Sequence, residues 1–152
     1  KGGGRLQQGM SMPEVPLAYI TGGEGAVKMS EFRGKGVLLN FWATWCGACV
    51  SELPVLAKLN ERFGGEHFVV IGVGDESPPK LRAFAQRNGI NYPLLSDRRG
   101  ALARSLKVKS IPFSVFIGPD GKVVGDVTGT FSESDGAERI EDLIELAKAA
   151  TP

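Results

Sequence analysis

The sequence predicts an α/β sandwich built around a mixed β-sheet. Two apolar runs, VLLNFW at 37–42 and FVVIGV at 68–73, are typical of strands that are covered on both faces. Helical spacing of apolar residues follows the first run, and a turn signature, GPDG at 118–121, joins two more strand-like runs near the C-terminus. Strands that alternate with helices and end in a hairpin are expected to pack in layers around one sheet.

The composition limits the class of protein. The chain has 152 residues, about one domain, with 42% hydrophobic and 23% charged residues, which is ordinary for a folded domain and not for a wholly disordered chain. Its 18 Lys and Arg residues against 17 Asp and Glu give a net charge of +1, so charge makes no case for nucleic acid or an anionic membrane as the main partner. No apolar run approaches the roughly 18 residues that a membrane-spanning helix needs.

The N-terminal segment is expected to lie outside the fold. Lys1–Gln8 is Gly-rich and polar, which is typical of a flexible tether. We therefore expect a flexible leader over 1–12, one domain over 13–148 and a short tail over 149–152. Because the sequence begins at Lys1 and not at Met, we also expect that a signal peptide or a membrane anchor preceded it.

The first half of the domain is predicted to contain a hairpin, two further strands and two helices. A turn-rich TGGEG separates the hairpin strands, and Gly64-Gly65 ends the first helix. Ser77 is a candidate N-cap of the second helix and Gly89 its stop. The predicted strands are 17–20, 26–29, 37–42 and 68–73, and the predicted helices are 46–63 and 77–88.

The second half is predicted to contain a short extended piece, a short helix, a hairpin and a long closing helix. The apolar residues of the closing helix fall on one face at helical spacing, as expected for a helix that packs on a sheet. The predicted elements are 92–95 (extended), 99–106 (helix), 114–117 and 122–127 (strands), and a helix from 132 onward.

Both cysteines of the chain lie in one short motif at the junction of a predicted strand and a predicted helix. Cys46 and Cys49 form a Cys-x-x-Cys pair, which in this position is typical of a redox site. Cys46 falls at the helix N-terminus, where free backbone N–H groups and the helix dipole favour a thiolate, the nucleophile of thiol–disulfide exchange. Cys49, one turn further along, is expected to be less exposed and to resolve a mixed disulfide.

Three other interpretations of the cysteine pair are weaker. A structural disulfide over so short a loop restrains little of the unfolded chain. A structural zinc ion needs four ligands, whereas the chain has two cysteines and one histidine, His67. A c-type haem site needs a histidine directly after the second cysteine, and Val50 occupies that position. We therefore expect no metal, and no cofactor besides the redox-active cysteine pair itself.

The residues around the motif resemble the thioredoxin superfamily. FWATWCGAC follows a predicted strand, and Ser110-Ile111-Pro112 comes later in the chain. RGKGVLLNFWATWC and SELPVL are similar to the TlpA/ResA/CcmG branch, the extracytoplasmic thiol–disulfide oxidoreductases of bacteria, and the resemblance covers roughly residues 13–148. It implies a thioredoxin-like three-layer sandwich with a mixed central sheet, an N-terminal β-hairpin extension and a βα-type insertion over roughly 74–95.

The resemblance also implies roles for individual residues. Cys46 matches the exposed nucleophile, Cys49 the resolving cysteine, and Pro112 a cis-proline that faces them. The backbone of Ile111 is then expected to pair with an extended client segment, and Trp45 to flank the site where the client binds. An ordinary trans proline at 112 and a plain packing role for Trp45 are the alternatives.

The sequence offers two candidates, Glu76 and Asp75, for an acid that would exchange a proton with the resolving cysteine. Plain thioredoxins have a buried Asp where this chain has Asn40, and an amide cannot take up that proton. Some members of the branch carry a Glu in the insertion, and the segment VGDES offers Glu76, slightly preferred over Asp75. The hypothesis is that Glu76 lies near the cysteines with a raised pKa and shuttles a proton, and the alternative is a solvated loop acid. Glu52, three residues after Cys49, is interpreted as solvated in preference to a place on the rim of the site.

The predicted function is thiol–disulfide exchange with client proteins. By resemblance the direction is reductive, and the location is the periplasm or the outer face of a bacterial membrane. The resemblance implies apocytochrome c or a copper-site protein as client and a DsbD/CcdA-type membrane protein as electron donor, and we expect a monomer. One alternative is a peroxiredoxin-like peroxidase, although Thr44-Trp45-Cys46 lacks the Thr-x-x-Cys spacing of those sites. Another is a non-catalytic redox-sensing or binding module.

Overall fold

The computed structural model describes residues 4–150, which form one seven-stranded sheet flanked by helices. The strands are β1 (Leu17–Thr21), β2 (Ala26–Val27), β3 (Gly36–Phe41), β4 (Phe68–Gly74), β5 (Leu94–Ser96), β6 (Phe113–Ile117) and β7 (Val123–Thr128). The α-helices are α1 (Gly47–Phe63), α2 (Pro78–Arg87), α3 (Ala101–Ser105) and α4 (Glu133–Ala150). Across this range of residues, no helix is both long enough and apolar enough to cross a membrane.

The sheet is mixed because β3, near its centre, has a neighbour in each direction. It pairs parallel with β4 and antiparallel with β6. The order across the sheet is β2-β1-β5-β4-β3-β6-β7, so that the predicted N-terminal hairpin forms one edge and β7 the other. The predicted insertion supplies α2 and β5, and β5 extends the sheet between β4 and β1. The predicted fold class is confirmed.

Helices cover both faces of the sheet, which makes three layers. Successive residues of β3 alternate between two clusters of buried apolar side chains. Leu38 belongs to the cluster formed with α1, α2 and α4, whereas Val37 and Leu39 belong to the cluster formed with α3. All six residues of β3 are buried, so the continuous apolar run of this strand is explained by burial on both faces.

The N-terminal residues pack against the sheet, and the prediction of a flexible leader over 1–12 is wrong for the part that the structure describes. Residues 1–3 lie outside the described residues. Residues 5–12, which we call the N-terminal strap, run along the exposed edge of β7. Met12 at the end of the strap is only 5% exposed and belongs to a core cluster.

Backbone hydrogen bonds hold the strap in an antiparallel arrangement with β7. The Gly9 N–H donates to the Val123 carbonyl at 2.8 Å, and the Val123 N–H donates to the Met10 carbonyl at 2.8 Å. Ser11 also forms an antiparallel bridge with Lys122, the residue before β7. An edge strand offers unpaired N–H and C=O groups to any segment that reaches it, whatever its side chains, and for this reason a polar segment rich in glycine can dock there.

Candidate active site

The two cysteines lie at the N-terminal end of α1. Cys46 is the N-cap, and its sulfur accepts a hydrogen bond from the Cys49 backbone N–H at 3.2 Å. The two side chains are joined by a disulfide, and the first turn of the helix carries no acidic residue. After reduction, the free N–H groups and the helix dipole favour a negative charge on the Cys46 sulfur. Cys46 is 8% exposed and Cys49 only 2%, so Cys46 is the more accessible of the two.

A loop with a cis peptide bond faces the cysteines. The Ile111–Pro112 bond is cis, and the Ile111 carbonyl oxygen lies 3.8 Å from Cys46 Sγ. The Pro112 carbonyl accepts a hydrogen bond from the Gly129 N–H at 2.8 Å, which ties the loop to the chain that follows β7. We call residues 107–112 the docking loop, after the sequence-based prediction that an extended client segment pairs with the backbone of Ile111.

An apolar groove connects the cysteine motif with the docking loop. Its volume is about 130 Å³, and its lining includes Trp45, Val73, Val108 and Ile111. Trp45 is 73% exposed, more than any other large hydrophobic side chain within residues 4–150. Exposed apolar surface next to a reactive sulfur is suited to an apolar side chain of a client segment.

A buried carboxylate lies on the same face of α1 as Cys49. Glu52 is one helical turn beyond Cys49, a spacing that brings the Cβ atoms to about 5–6 Å, and Glu52 is only 3% exposed. Its Oε1 accepts a hydrogen bond from Asn40 Nδ2 at 3.4 Å, and its Oε2 accepts one from the Phe131 backbone N–H at 3.0 Å. Asn40 Nδ2 also donates to Ser114 Oγ at 3.0 Å. The two donors to Glu52 come from different segments, β3 and the loop after β7, and they fix the position of the carboxylate.

The environment of Glu52 raises the pKa of its carboxyl group. Burial raises the pKa of Glu52, and the hydrogen bonds from Phe131 and Asn40 offset this only in part. Burial also raises the pKa of Tyr92, and the nearby charge of Glu52 raises it further. A carboxyl of raised pKa one turn from Cys49 can exchange a proton with that thiol.

The interpretation of Glu52 as a solvated side chain is therefore wrong. The sequence contained a signal for its burial. Positions 49, 52, 53 and 56 fall on one face of the predicted helix, and the other three are Cys or Leu. A charged residue on an otherwise apolar helical face is costly unless it is paired, and such a residue is a candidate for function.

Glu76 is bound to the segment that precedes the cysteines. Its carboxylate accepts hydrogen bonds from the Thr44 backbone N–H at 2.8 Å and from the Thr44 hydroxyl at 2.6 Å, and Lys80 Nζ lies 3.0 Å away. Burial raises the pKa of Glu76, but these hydrogen bonds and the Lys80 charge outweigh it and place the pKa below its usual value. The raised pKa predicted for Glu76 is therefore wrong. Asp75, the other candidate, is exposed and lines the apolar groove.

The histidine of the chain lies far from the cysteines. His67 precedes β4, and the first residue of β4 pairs with Gly36, at the end of β3 opposite to the cysteine motif. Its Nε2 lies 3.9 Å from Glu66 Oε1. Between residues 4 and 150, no three or more His, Cys, Asp or Glu side chains are grouped so that they could hold a metal ion.

Comparison with known proteins finds a family match over most of the chain. The model of the AhpC/TSA family matches residues 9–125. The chain is 34% identical over 145 residues to the thiol-disulfide oxidoreductase ResA of Bacillus subtilis (strain 168), an alignment that covers 94% of this chain and 77% of the relative. It is 32% identical over 139 residues to the ResA of Geobacillus thermodenitrificans (strain NG80-2), with 89% and 77% covered.

Solved structures resemble the whole fold. A thiol:disulfide interchange protein DsbE from Chlorobium tepidum superposes with a TM-score of 0.83 at 26% identity, covering 91% of this chain and 99% of that one. The exposed lipoprotein thioredoxin of Streptococcus pneumoniae strain TIGR4 superposes with a TM-score of 0.74 at 25% identity, covering 86% and 100%. The predicted thioredoxin-like architecture is confirmed by these superpositions.

Proposed function

The chain belongs to the AhpC/TSA family and is a relative of the ResA thiol–disulfide oxidoreductases, and from this premise we propose that it reduces disulfide bonds of client proteins outside the cytoplasm. The observation that carries the proposal is the position of Cys46. This residue caps α1, is bonded to Cys49, and lies 3.8 Å from the Ile111 carbonyl of the docking loop. A nucleophilic sulfur, a resolving sulfur and a backbone for client pairing thus meet at one point.

In the first step, the reduced protein attacks the client disulfide. The Cys46 thiolate forms a bond to one client sulfur, and the other client sulfur leaves as a thiolate that takes up a proton. The client segment pairs with the docking loop, and one of its side chains enters the apolar groove beside Trp45. Pairing with the backbone of Ile111 brings the client sulfur within reach of Cys46, because the Ile111 carbonyl lies next to Cys46 Sγ.

In the second step, Cys49 releases the client. The Cys49 thiol passes its proton to the Glu52 carboxylate, and the Cys49 thiolate attacks Cys46 Sγ. The Cys46–Cys49 bond forms, the mixed disulfide breaks, and the remaining client sulfur leaves as a thiolate and is protonated. Two electrons pass from the protein to the client. Glu52 thus takes the proton-transfer role predicted for Glu76, whereas Glu76 holds Thr44 in place two residues before Cys46.

The direction, clients and location are part of the same proposal. Gly47 and Ala48 add no charge between the cysteines, and we expect a reduction potential nearer to the roughly −270 mV of thioredoxin than to the roughly −120 mV of DsbA. We propose apocytochrome c or a copper-site protein as client, and a DsbD/CcdA-type membrane protein as electron donor. A similar solved protein is named an exposed lipoprotein, which supports a location in the periplasm or on the outer face of a bacterial membrane.

The reduction potential of the Cys46–Cys49 pair tests the direction. After equilibration with glutathione or dithiothreitol, a potential below about −220 mV supports a reductant, whereas one above about −150 mV contradicts the proposal. Insulin reduction driven by dithiothreitol should depend on Cys46 and disappear in Cys46→Ser, and Cys49→Ser should accumulate the mixed disulfide with its client. Consumption of peroxide in place of insulin disulfides would favour the peroxidase alternative.

A further inference from the structure

The first residues of the N-terminal strap, Arg5 and Leu6, lie at the same edge of the molecule as the docking loop. Asp126 of β7 lies there, is 5% exposed, and turns its carboxylate toward the strap. Asp126 Oδ1 accepts a hydrogen bond from the Arg5 backbone N–H at 2.7 Å, and Oδ2 accepts one from the Leu6 backbone N–H at 2.7 Å. A buried carboxylate is stable only where its oxygens accept hydrogen bonds, and here the strap supplies a donor to each oxygen.

A glycine makes this contact possible. A Cβ atom at Gly4 would collide with the Asp126 carboxylate, so a residue with a side chain would force either the strap or this carboxylate out of the observed position. We call Gly4, Arg5, Leu6 and Asp126 the clasp. These four residues lie outside residues 9–125, the range that the family model matches.

The Arg5 side chain contacts the two residues that flank the docking loop. Its guanidinium donates a hydrogen bond to the Leu106 carbonyl at 2.9 Å and lies 4.8 Å from the centre of the Phe113 ring. Leu106 is the C-cap of α3, where the last carbonyl groups lack partners within the helix and favour a cation. Phe113 follows Pro112 directly and is 1% exposed. The guanidinium therefore bridges the residue before the docking loop and the residue after it.

We propose that Arg5 is a positioning residue for thiol–disulfide exchange, fixed by the clasp so that its side chain holds the docking loop in the conformation that pairs with a client. This inference rests on the proposed function and adds a residue to it. The Ile111 carbonyl lies 3.8 Å from Cys46 Sγ, so a client aligned on the loop is aligned on the sulfur. When the loop samples other conformations, only a fraction of molecules can bind, and the KM for the client rises by the reciprocal of that fraction.

The experiment compares two disulfides in two clasp variants. Arg5→Ala removes the guanidinium contacts with Leu106 and Phe113. Gly4→Ala adds a Cβ atom that collides with the Asp126 carboxylate and so disrupts the hydrogen bonds of the clasp. Arg62→Ala is the matched control, because Arg62 also stacks on a phenylalanine, Phe63, at 4.6 Å, and both lie at the end of α1 remote from the cysteines. KM and kcat are measured for an insulin-derived peptide disulfide, and the exchange rate for oxidised glutathione, which is too small to pair along the loop. Amide hydrogen exchange over 107–111 is measured in the same proteins.

We expect both clasp variants to raise the KM for the peptide about fivefold, with kcat and the glutathione rate within about twofold of wild type. Amide exchange over 107–111 should become faster, and Arg62→Ala should change none of these quantities. An unchanged KM with unchanged loop exchange in Arg5→Ala overturns the inference. An equal loss of rate with both disulfides also overturns it, because a general loss of stability then explains the result. Amide exchange of the docking loop is measured without turnover and therefore tests the role of Arg5 by itself. Absence of Cys46-dependent turnover in the wild type would refute the proposed function, which is a different result.

Discussion

Replacing Glu52 with Gln is expected to slow the release of the client and to leave the attack on the client unchanged. Glu52 is buried one turn from Cys49, and Gln has nearly the same shape but cannot take up a proton. Attack by Cys46 depends on the helix N-terminus, which the substitution does not alter. The two chemical steps should therefore respond differently to the same change.

The size of the effect follows from the isolation of Cys49. At 2% exposure this thiol has little access to solvent water as an alternative proton acceptor. Loss of a positioned general base typically slows proton transfer by at least about a hundredfold, which corresponds to about 2.7 kcal/mol of activation free energy. We expect the second step of Glu52→Gln to be slower by this factor at pH 7.

Single-turnover kinetics can separate the two steps. The reduced protein is mixed with a peptide disulfide, the exposed indole of Trp45 reports each step by fluorescence, and quenched samples show the mixed disulfide directly. In the wild type, the second rate should rise with pH as Glu52 ionises and then level off. In Glu52→Gln it should rise only at higher pH, where Cys49 loses its proton unaided.

Glu61→Gln is the matched control, because Glu61 lies on the same helix and is exposed. It should behave as wild type in both steps. A second step in Glu52→Gln within about twofold of wild type, or one with the wild-type pH profile, would refute the assignment of Glu52 as the proton acceptor.

The stability of the folded protein should also report the raised pKa of Glu52. The folded state keeps a proton on Glu52 above the usual value of 4.5, whereas the unfolded chain loses it there, so the free energy of unfolding falls as pH rises from 4.5 through the folded pKa. Urea unfolding of the oxidised protein from pH 4 to 8 should show this decrease relative to Glu52→Gln, and a constant difference between the two proteins would contradict it. Glu76→Gln should lower the free energy of unfolding by about 1–2 kcal/mol, because one of the Thr44 donors loses its acceptor. Glu66→Gln, at an exposed position, is the control for Glu76→Gln. Lys80→Ala should lower the free energy of unfolding by less than about 1 kcal/mol, because the Lys80 side chain is 59% exposed.

The elements that were predicted correctly from the sequence are those whose pattern of residues lies within one continuous segment of the chain. The run 37–42 is apolar at nearly every position because β3 is covered on both faces, and this pattern identifies a central strand without knowledge of its neighbours. The helical spacing of apolar residues after Cys46 identified α1 in the same way. Gly118–Gly121 identified the turn between β6 and β7, since only a few residue types suit a tight hairpin.

The parts that were predicted wrongly depend on partners from distant segments. The helical position of Glu52 was available from the sequence, but its donors Asn40 and Phe131 come from β3 and from the loop after β7. Gly4 was interpreted as part of a flexible leader, because glycine in a polar segment usually indicates freedom of the backbone. Here the same lack of a side chain permits a close approach to Asp126, and nothing near Gly4 in the chain indicates which of the two effects applies.

The capping of α1 by Cys46 connects the oxidation state of the protein to its resistance to denaturation. The sulfur that accepts the Cys49 N–H becomes a thiolate on reduction, and a charged acceptor makes the stronger hydrogen bond. Folding and reduction form a closed thermodynamic cycle. Any extra free energy of unfolding of the reduced protein therefore equals the free energy by which folding favours reduction of the cysteine pair. A shift of 30 mV in the reduction potential corresponds to about 1.4 kcal/mol. Two denaturation curves, one of the dithiol and one of the disulfide form, therefore measure how far the fold moves the potential of this pair from that of the unfolded chain.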